Sequence, residues 1–182
     1  MKNVFRFFFA CALVLAGSVL AGSVASAHTM PESESVLIYP SAEGDMDDPI
    51  EFRLGMHLDE VETLMGSDFE LRQSKGSDFR SVYYEYGDIT FSGTTSASDP
   101  CPPGKLRLTG IGCRNPWCRT PSGFRVGDEY EKVEAMYGRG MPIPRNRDSS
   151  TLEYEFPLSN IVFKMDDEGR IEEIGMYAMI GH

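Results

Sequence analysis

Few residues in this chain have the type and spacing that acid–base or nucleophilic catalysis needs. A catalytic triad requires a histidine beside both a nucleophile and a carboxylate, and the chain has three histidines. His28 precedes the predicted folded region, His182 is the last residue, and His57 stands alone at the predicted start of a helix. Gly138-Arg139-Gly140 is too short for a phosphate-binding loop. The sequence therefore predicts a protein that is not an enzyme.

The cysteines favour one disulfide and no metal site. Cys11 lies in a predicted signal peptide, which leaves Cys101, Cys113 and Cys118. The turn-forming residues 114–117 could bring Cys113 and Cys118 together, so this pair is the favoured disulfide. The alternative is a bond from Cys101 to either of the other two. Three thiols without a nearby histidine match no zinc spacing, and we expect no metal and no cofactor.

The N-terminal residues have the three-part pattern of a secretory signal peptide. Lys2 and Arg6 precede an apolar run over residues 7–21, and the small residues Ala25-Ser26-Ala27 end the segment before His28. We therefore predict a signal peptide over residues 1–27 and a secreted or periplasmic protein. Residues 28–49 carry six acidic and no basic side chains, so we predict an acidic flexible leader there. No second apolar stretch is long enough to span a bilayer, so no membrane insertion is expected after cleavage.

An internal repeat follows the predicted leader. Phe52-Arg53-Leu54-Gly55 is echoed 72 positions later by Phe124-Arg125-Val126-Gly127. Three further blocks follow in the same order, with drifting offsets that indicate a longer loop in the first copy. These blocks are Tyr84-Glu85-Tyr86 with Tyr154-Glu155-Phe156, Ile89-Thr90-Phe91 with Ile161-Val162-Phe163, and Gly104-Lys105-Leu106 with Gly169-Arg170-Ile171. The sequence thus predicts a first repeat over residues 50–120 and a second over residues 121–182.

Each copy has the periodicity of one helix followed by three strands. Apolar residues recur at helical spacing over residues 58–65 and 130–137, and alternation with a period of two follows in both copies. The predicted fold class is α+β, with two tandem helix-plus-three-strand repeats whose helices pack on one face of an antiparallel sheet. The opposite face would be open to solvent. Its candidate binding residues are Tyr83, Glu85, Glu153, Glu155 and Tyr177, accompanied by Lys164 and Glu173.

A second candidate surface lies where the two copies join. The chain carries 17 basic and 28 acidic residues, a net charge of −11 that disfavours nucleic acid as a partner. Residues 100–127 nevertheless contain five basic and no acidic side chains, and the single tryptophan, Trp117, lies among them between Arg114 and Arg119. An exposed Trp117 would be a binding hot spot for an anionic or aromatic partner. The alternative, which the sequence slightly favours, is that Trp117 is buried and fills the seam between the copies.

The helix motif with Gly55, Val61 and Gly66, followed by strands that end in a glycine, a basic residue and an aliphatic residue, resembles the tandem-repeat beta-lactamase inhibitory protein. It is also similar to the small outer-membrane assembly lipoproteins, which carry a single copy. The resemblance covers about residues 50–180. It departs from both groups, because the second copy has no cysteine and the signal peptide has no lipobox.

The resemblance and the open sheet face together imply a non-catalytic module that binds a protein partner. One function consistent with it is the inhibition of an extracellular enzyme. The alternative from a different class is a cell-envelope assembly or structural component.

Overall fold

The computed structural model describes residues 35–38, 49–142 and 150–179. The predicted signal peptide and most of the predicted leader lie outside these residues. None of the helices in the described part of the chain is long and apolar enough to cross a lipid bilayer.

The described residues form two helices, one short 3-10 helix and the strands of two sheets. The helices are α1 (Leu58–Met65) and α2 (Glu131–Tyr137), and the 3-10 helix spans Pro103–Lys105. The strands, in chain order, are β1 (Val36–Ile38), β2 (Ile50–Phe52), β3 (Glu70–Lys75), β4 (Phe79–Tyr86), β5 (Ile89–Ser96), β6 (Leu108–Cys113), β7 (Cys118–Arg119), β8 (Met141–Pro142), β9 (Thr151–Glu155), β10 (Ser159–Met165) and β11 (Ile171–Ala178).

An antiparallel sheet of eight strands, in the order β3-β4-β5-β6-β11-β10-β9-β8, dominates the fold. Strands β6 and β11 pair at its centre, with Gly112 opposite Gly175. On either side of this pair the strand order runs outward in the same way, so each half has one helix and four strands. The sheet is continuous across the junction, and its two faces therefore extend over both halves of the molecule.

The predicted fold class of two helix-plus-three-strand repeats is wrong. Of the described residues, 49% lie in strands and 14% in helices, and the strands form two sheets. The fourth strand of each half has no apolar alternation to reveal it: every residue of β3 is exposed, and β8 has two residues. Both are edge strands, which need no buried face.

A second sheet of three strands, in the order β2-β1-β7, was not predicted at all. Strand β1 lies inside the stretch predicted to be a flexible leader, yet Val36 is fully buried and Ile38 is 5% exposed. These side chains join the core of the first half together with Phe52 and Cys118. Strands of two or three residues are too short to produce a periodic pattern, so periodicity could not predict this sheet.

The core of the described residues consists of two apolar clusters, each formed mainly by one half, although Met176 of β11 belongs to the first cluster. In the first, Leu58 and Val61 of α1 pack with the buried side chains of β4, β5 and β6, including Phe91 and Ile111. The second cluster joins Tyr130 and α2 to β9, β10 and β11. Both clusters lie on one face of the eight-stranded sheet. Because neighbouring residues of a strand point to opposite faces, the residues that alternate with these buried ones lie on the opposite face of the sheet.

Equivalent hydrogen bonds relate the two halves and correct the predicted alignment. The Gly55 N–H donates to the Leu108 carbonyl at 2.8 Å, and the Gly127 N–H donates to the Ile171 carbonyl at 2.8 Å. Leu108 is therefore the counterpart of Ile171, whereas the repeat blocks of the sequence pair Leu106 with Ile171. The alignment was wrong by two residues at this strand.

Candidate binding face of the sheet

The eight-stranded sheet turns one face away from the core, and we call this the open face. On β4, Val82 and Tyr84 are buried, whereas Tyr83 between them is half-buried and points to the other side. The strand register places a continuous cross-strand row on that side, which we call the tyrosine row. It consists of Arg72, Tyr83, Ser92, Gly110, Tyr177, Asn160 and Glu155.

A parallel row lies beside the tyrosine row. Glu85 and Glu153 lie toward its two ends, and the paired glycines Gly112 and Gly175 lie at its centre. At the junction of the two halves these glycines form a floor without side chains of its own, and the Tyr177 ring lies over part of it. Acidic side chains lie on both sides of that floor.

Glycines in the central strands allow the Tyr177 ring to lie against the sheet. A Cβ atom at Gly175 would lie 2.8 Å from Cε2 of Tyr177, and one at Gly110 would lie 3.1 Å from its Cδ1. Both distances are shorter than ordinary carbon–carbon contacts, so a larger residue at either position would push the ring away. The glycines therefore set the position of the Tyr177 ring, which is 43% exposed.

Two shallow cavities lie on either side of Tyr177. The first, about 380 Å³, is lined on the first-half side by Tyr83, Arg72 and Glu85 among other residues. The second, about 510 Å³, is lined on the second-half side by Glu153, Val162 and Lys164 among others. Arg114, Glu173 and Tyr177 line both cavities. Tyr177 is therefore an aromatic side chain that separates two depressions.

Ion pairs hold the charged side chains of the first cavity in place. The Arg72 guanidinium lies 4.0 Å from the centre of the Tyr83 ring, in a cation–π contact, and its Nη2 is 2.7 Å from Oε1 of Glu85. Across the cavity, Nε of Arg114 donates to Oε2 of Glu173 at 2.9 Å. Each cation is thus matched by a carboxylate, and the cavity presents oriented charges of both signs.

The Tyr177 hydroxyl stays protonated at neutral pH. Partial burial raises the pKa of this hydroxyl, and the neighbouring Glu173 carboxylate raises it further, while Arg114 opposes the change. A protonated tyrosine can both donate and accept a hydrogen bond. With its exposed ring it offers apolar and polar contacts to a partner at the same point.

The structure brings together six of the eight predicted binding residues. Tyr83, Glu85, Glu153, Glu155, Tyr177 and Arg114 lie on or reach the open face. The other two predicted residues, Trp117 and Arg119, lie beside and within β7 of the three-stranded sheet.

Trp117 is 38% exposed and is not a buried seam residue, contrary to the favoured interpretation of the sequence. Cys118, the next residue, is fully buried. The Trp117 N–H donates to Oδ1 of Asn115 at 2.9 Å, which fixes the turn.

The favoured cysteine pair lies at disulfide distance. Cys113 and Cys118 are bonded, with their Cα atoms 6.4 Å apart, and Cys101 is a free, partly buried thiol. A disulfide is typical of proteins outside the reducing cytosol, so the pair is compatible with export.

Arg72 and the central glycines are site residues that sequence reasoning missed. Arg72 lies on β3, where the lack of apolar alternation hid the strand. A usable signal did exist for the glycines, because glycine at alternate positions in a predicted strand marks a close approach of another group. Gly110 and Gly112 have this spacing.

Among the described residues, no group of three or more histidine, cysteine, aspartate or glutamate side chains is placed so that it could hold a metal ion. His57 has a structural contact: its Nδ1 is hydrogen-bonded to the Lys105 carbonyl at 2.9 Å. Its backbone N–H donates to Oε2 of Glu60 at 2.9 Å at the start of α1. This residue thus ties the first helix to the 3-10 helix.

Comparisons of the chain with protein-family models, with curated proteins and with solved structures found no match.

Proposed function

We propose that this chain is a secreted or periplasmic, non-catalytic protein that recognises a partner protein through the open face. The observation that carries the proposal is the position of Tyr177, an exposed aromatic side chain between two cavities and above a glycine floor. Tyrosine contributes a large contact area at a low cost in side-chain entropy, and it is enriched among the residues that dominate protein interfaces.

The charges around Tyr177 favour a partner with both apolar and polar contacts. Arg72 and Arg114 are already paired with Glu85 and Glu173, so the open face does not select a strongly charged partner. Such pairs orient a partner and reject others whose charges do not match. We infer that a loop of the partner straddles the Tyr177 ring and places one side chain in each cavity. In its specific form, the proposal is that the partner is an extracellular enzyme and that the open face blocks its active-site loop.

A capture experiment with matched variants tests the proposed function. The exported protein, immobilised, would be exposed separately to culture supernatant and to solubilised cell envelope, and the bound proteins would be identified. Tyr177→Ala should weaken capture of the specific partner roughly tenfold or more, because truncation of a central aromatic anchor typically costs about 2 kcal/mol or more.

Leu64→Ala is the control, since Leu64 is 44% exposed against 43% for Tyr177 but lies on α1. The Leu64→Ala variant should capture as much of the partner as the natural chain does. A partner that both variants retain equally, with both variants folded, would contradict recognition through the open face. A soluble partner would support the enzyme-inhibitor form, and a membrane complex would support the envelope-assembly alternative.

A further inference from the structure

The two edges of the eight-stranded sheet differ in how they are protected against pairing with a further strand. Strand β8 at one edge has two residues, and one of them, Pro142, has no N–H group to donate. Strand β3 at the other edge has six residues, all of them exposed and none of them proline. Its register with β4 runs over the whole strand without a bulge. A long, regular edge of this kind is open to pairing with another strand, whereas β8 is not.

The outward backbone groups of β3 follow from the turn at its end. The Gly76 N–H donates to the Phe79 carbonyl at 2.8 Å, so the backbone groups of Gly76 point toward β4. Because these groups alternate along an antiparallel strand, those of Leu71, Gln73 and Lys75 point away from β4. None of the described strands lies on that side of β3 to receive them.

Apolar and charged side chains accompany this edge. Leu71 is 49% exposed and lies opposite the buried Tyr84, on the same side of the sheet as the core. On the open face, Glu70 lies directly opposite Glu85 of β4, and like charges in this position destabilise a sheet. Arg72 contacts one oxygen of Glu85, Oε1, through its Nε and Nη2 atoms. A guanidinium has five N–H donors, so Arg72 can bind a second carboxylate as well.

We propose that β3 pairs with β3 of a second copy of this chain, in antiparallel orientation, and that the two eight-stranded sheets thereby become one. A two-fold axis perpendicular to the sheet relates the copies and passes beside Leu71. Leu71 then lies opposite Leu71 of the second copy, and Glu70 lies opposite Arg72 at two symmetric places. These are the apolar and opposite-charge pairs that stabilise neighbouring strands. The proposal does not depend on recognition through the open face.

The other symmetric registers of β3 fit less well. A two-fold axis keeps each face of the joined sheet on the same side in both copies, so residues directly opposite each other must share a face. An axis at Glu70, Arg72 or Lys75 would place like charges directly opposite each other. An axis at either of the remaining residues other than Leu71 would bring no opposite charges together. The charge pattern of β3 is thus complementary to itself in one register, which favours a second copy over a strand of another protein.

Sedimentation equilibrium of the full exported chain, from micromolar to millimolar concentration, tests the proposal. The natural chain should show a monomer–dimer equilibrium. Leu71→Lys replaces the apolar pair at the axis with two like charges, so it should raise the dissociation constant of the dimer roughly tenfold. Met141→Lys is the matched control, because Met141 is 53% exposed on the other edge strand, and it should leave the constant unchanged.

Cross-linking between introduced cysteines reports the register. In a Cys101→Ala background, Leu71→Cys should give a disulfide-linked dimer on mild oxidation, because residues paired at the axis have Cα atoms about 5.5 Å apart. Gln73→Cys should not, because the two Gln73 residues would be separated by about 13 Å along the strands. Both side chains are exposed, so both variants should fold.

Three outcomes would overturn the proposal. They are a natural chain that stays monomeric at every concentration, equal effects of Leu71→Lys and Met141→Lys, and cross-linking by Gln73→Cys in place of Leu71→Cys. A monomeric chain that loses capture of a different protein through Leu71→Lys would also overturn it, and would assign the edge to a strand of that protein. Far-ultraviolet circular dichroism checks that each variant is folded.

Discussion

Tyr86 and Tyr154 hold the same place in the two halves of the molecule, although the sequence comparison did not align them. The Tyr86 hydroxyl donates to the Gly66 carbonyl at 2.7 Å, and the Tyr154 hydroxyl donates to the Gly138 carbonyl at 2.9 Å. Gly66 and Gly138 end α1 and α2 with φ of 89° and 79°. The last carbonyls of a helix have no partner within it, so each tyrosine ties its half of the sheet to the end of its helix.

Removal of the Tyr154 hydroxyl should destabilise the second half more than removal of the Tyr86 hydroxyl destabilises the first. Tyr154 is 5% exposed, and its hydroxyl also pairs with that of Tyr130 at 2.6 Å. Tyr154→Phe leaves the buried Tyr130 hydroxyl and the partly buried Gly138 carbonyl without this partner, at a cost of about 1–3 kcal/mol. Tyr86→Phe should cost less, because water can replace the lost hydrogen bond. Urea unfolding measures both, and a larger loss for Tyr86→Phe would contradict the assigned burial.

Stability should fall in alkaline solution as tyrosines ionise. Burial raises the pKa of Tyr86 to about 12 from its usual 10, and the nearby Glu62 carboxylate contributes. Burial raises the pKa of Tyr154 as well, with help from its bond to Tyr130. Between about pH 10 and about pH 12 the unfolded chain has lost the Tyr86 proton that the folded chain still holds, so rising pH favours unfolding. This contribution is fully present below about pH 10 and lost through about pH 12.

The free energy of unfolding, measured across that range, should decline less steeply for Tyr86→Phe than for the natural chain. Identical slopes for the two proteins would contradict the raised pKa.

Val61 and Val133 should be equally sensitive core positions. Both are fully buried, and they occupy matching turns of α1 and α2. Val61→Ala and Val133→Ala each remove buried methyl groups and leave a small cavity, so each should lower the free energy of unfolding by about 1–3 kcal/mol. Urea denaturation compares them, and a response at one position alone would mean that the two helices do not pack equivalently.

Helical spacing located both helices because each buries one side against a sheet. The sequence placed them over residues 58–65 and 130–137, and the structure has Leu58–Met65 and Glu131–Tyr137. It also placed Leu64 and Met136 in the apolar stripes, yet these side chains are 44% and 42% exposed. Periodicity shows which side of a helix is apolar, but it cannot show how far the covering sheet extends.

The open face could be predicted even though the alignment of the repeats was wrong. The sequence comparison matched Tyr84 with Tyr154, whereas the hydrogen bonds to the helix ends match Tyr86 with it. A shift of two residues leaves every side chain on the same face of a sheet, while a shift of one would have reversed the faces. The two strands that the sequence did not predict are a different case, because β3 and β8 lie at the sheet edges, β3 is exposed throughout and β8 has two residues.

The Cys113–Cys118 bond should make a modest contribution to stability. It closes a short loop, with a sequence separation of 5, and for a loop of this size the chain-entropy estimate is about 2 kcal/mol. Reduction should therefore lower the free energy of unfolding by about that amount in both the natural chain and Cys101→Ala. Peptide mapping that found Cys101 bonded to either of the other cysteines would contradict the assigned pair.

Trp117 should be replaceable without loss of the fold. It is 38% exposed, and it belongs to neither apolar cluster of the described residues. Trp117→Ala should change the free energy of unfolding by less than about 1 kcal/mol, whereas truncation of a fully buried aromatic side chain typically costs about 3–5 kcal/mol. Because the chain has one tryptophan, its fluorescence reports this site alone. The emission should be red-shifted and readily quenched by iodide in the folded protein, and a blue emission that resists iodide would mean that the indole is buried after all.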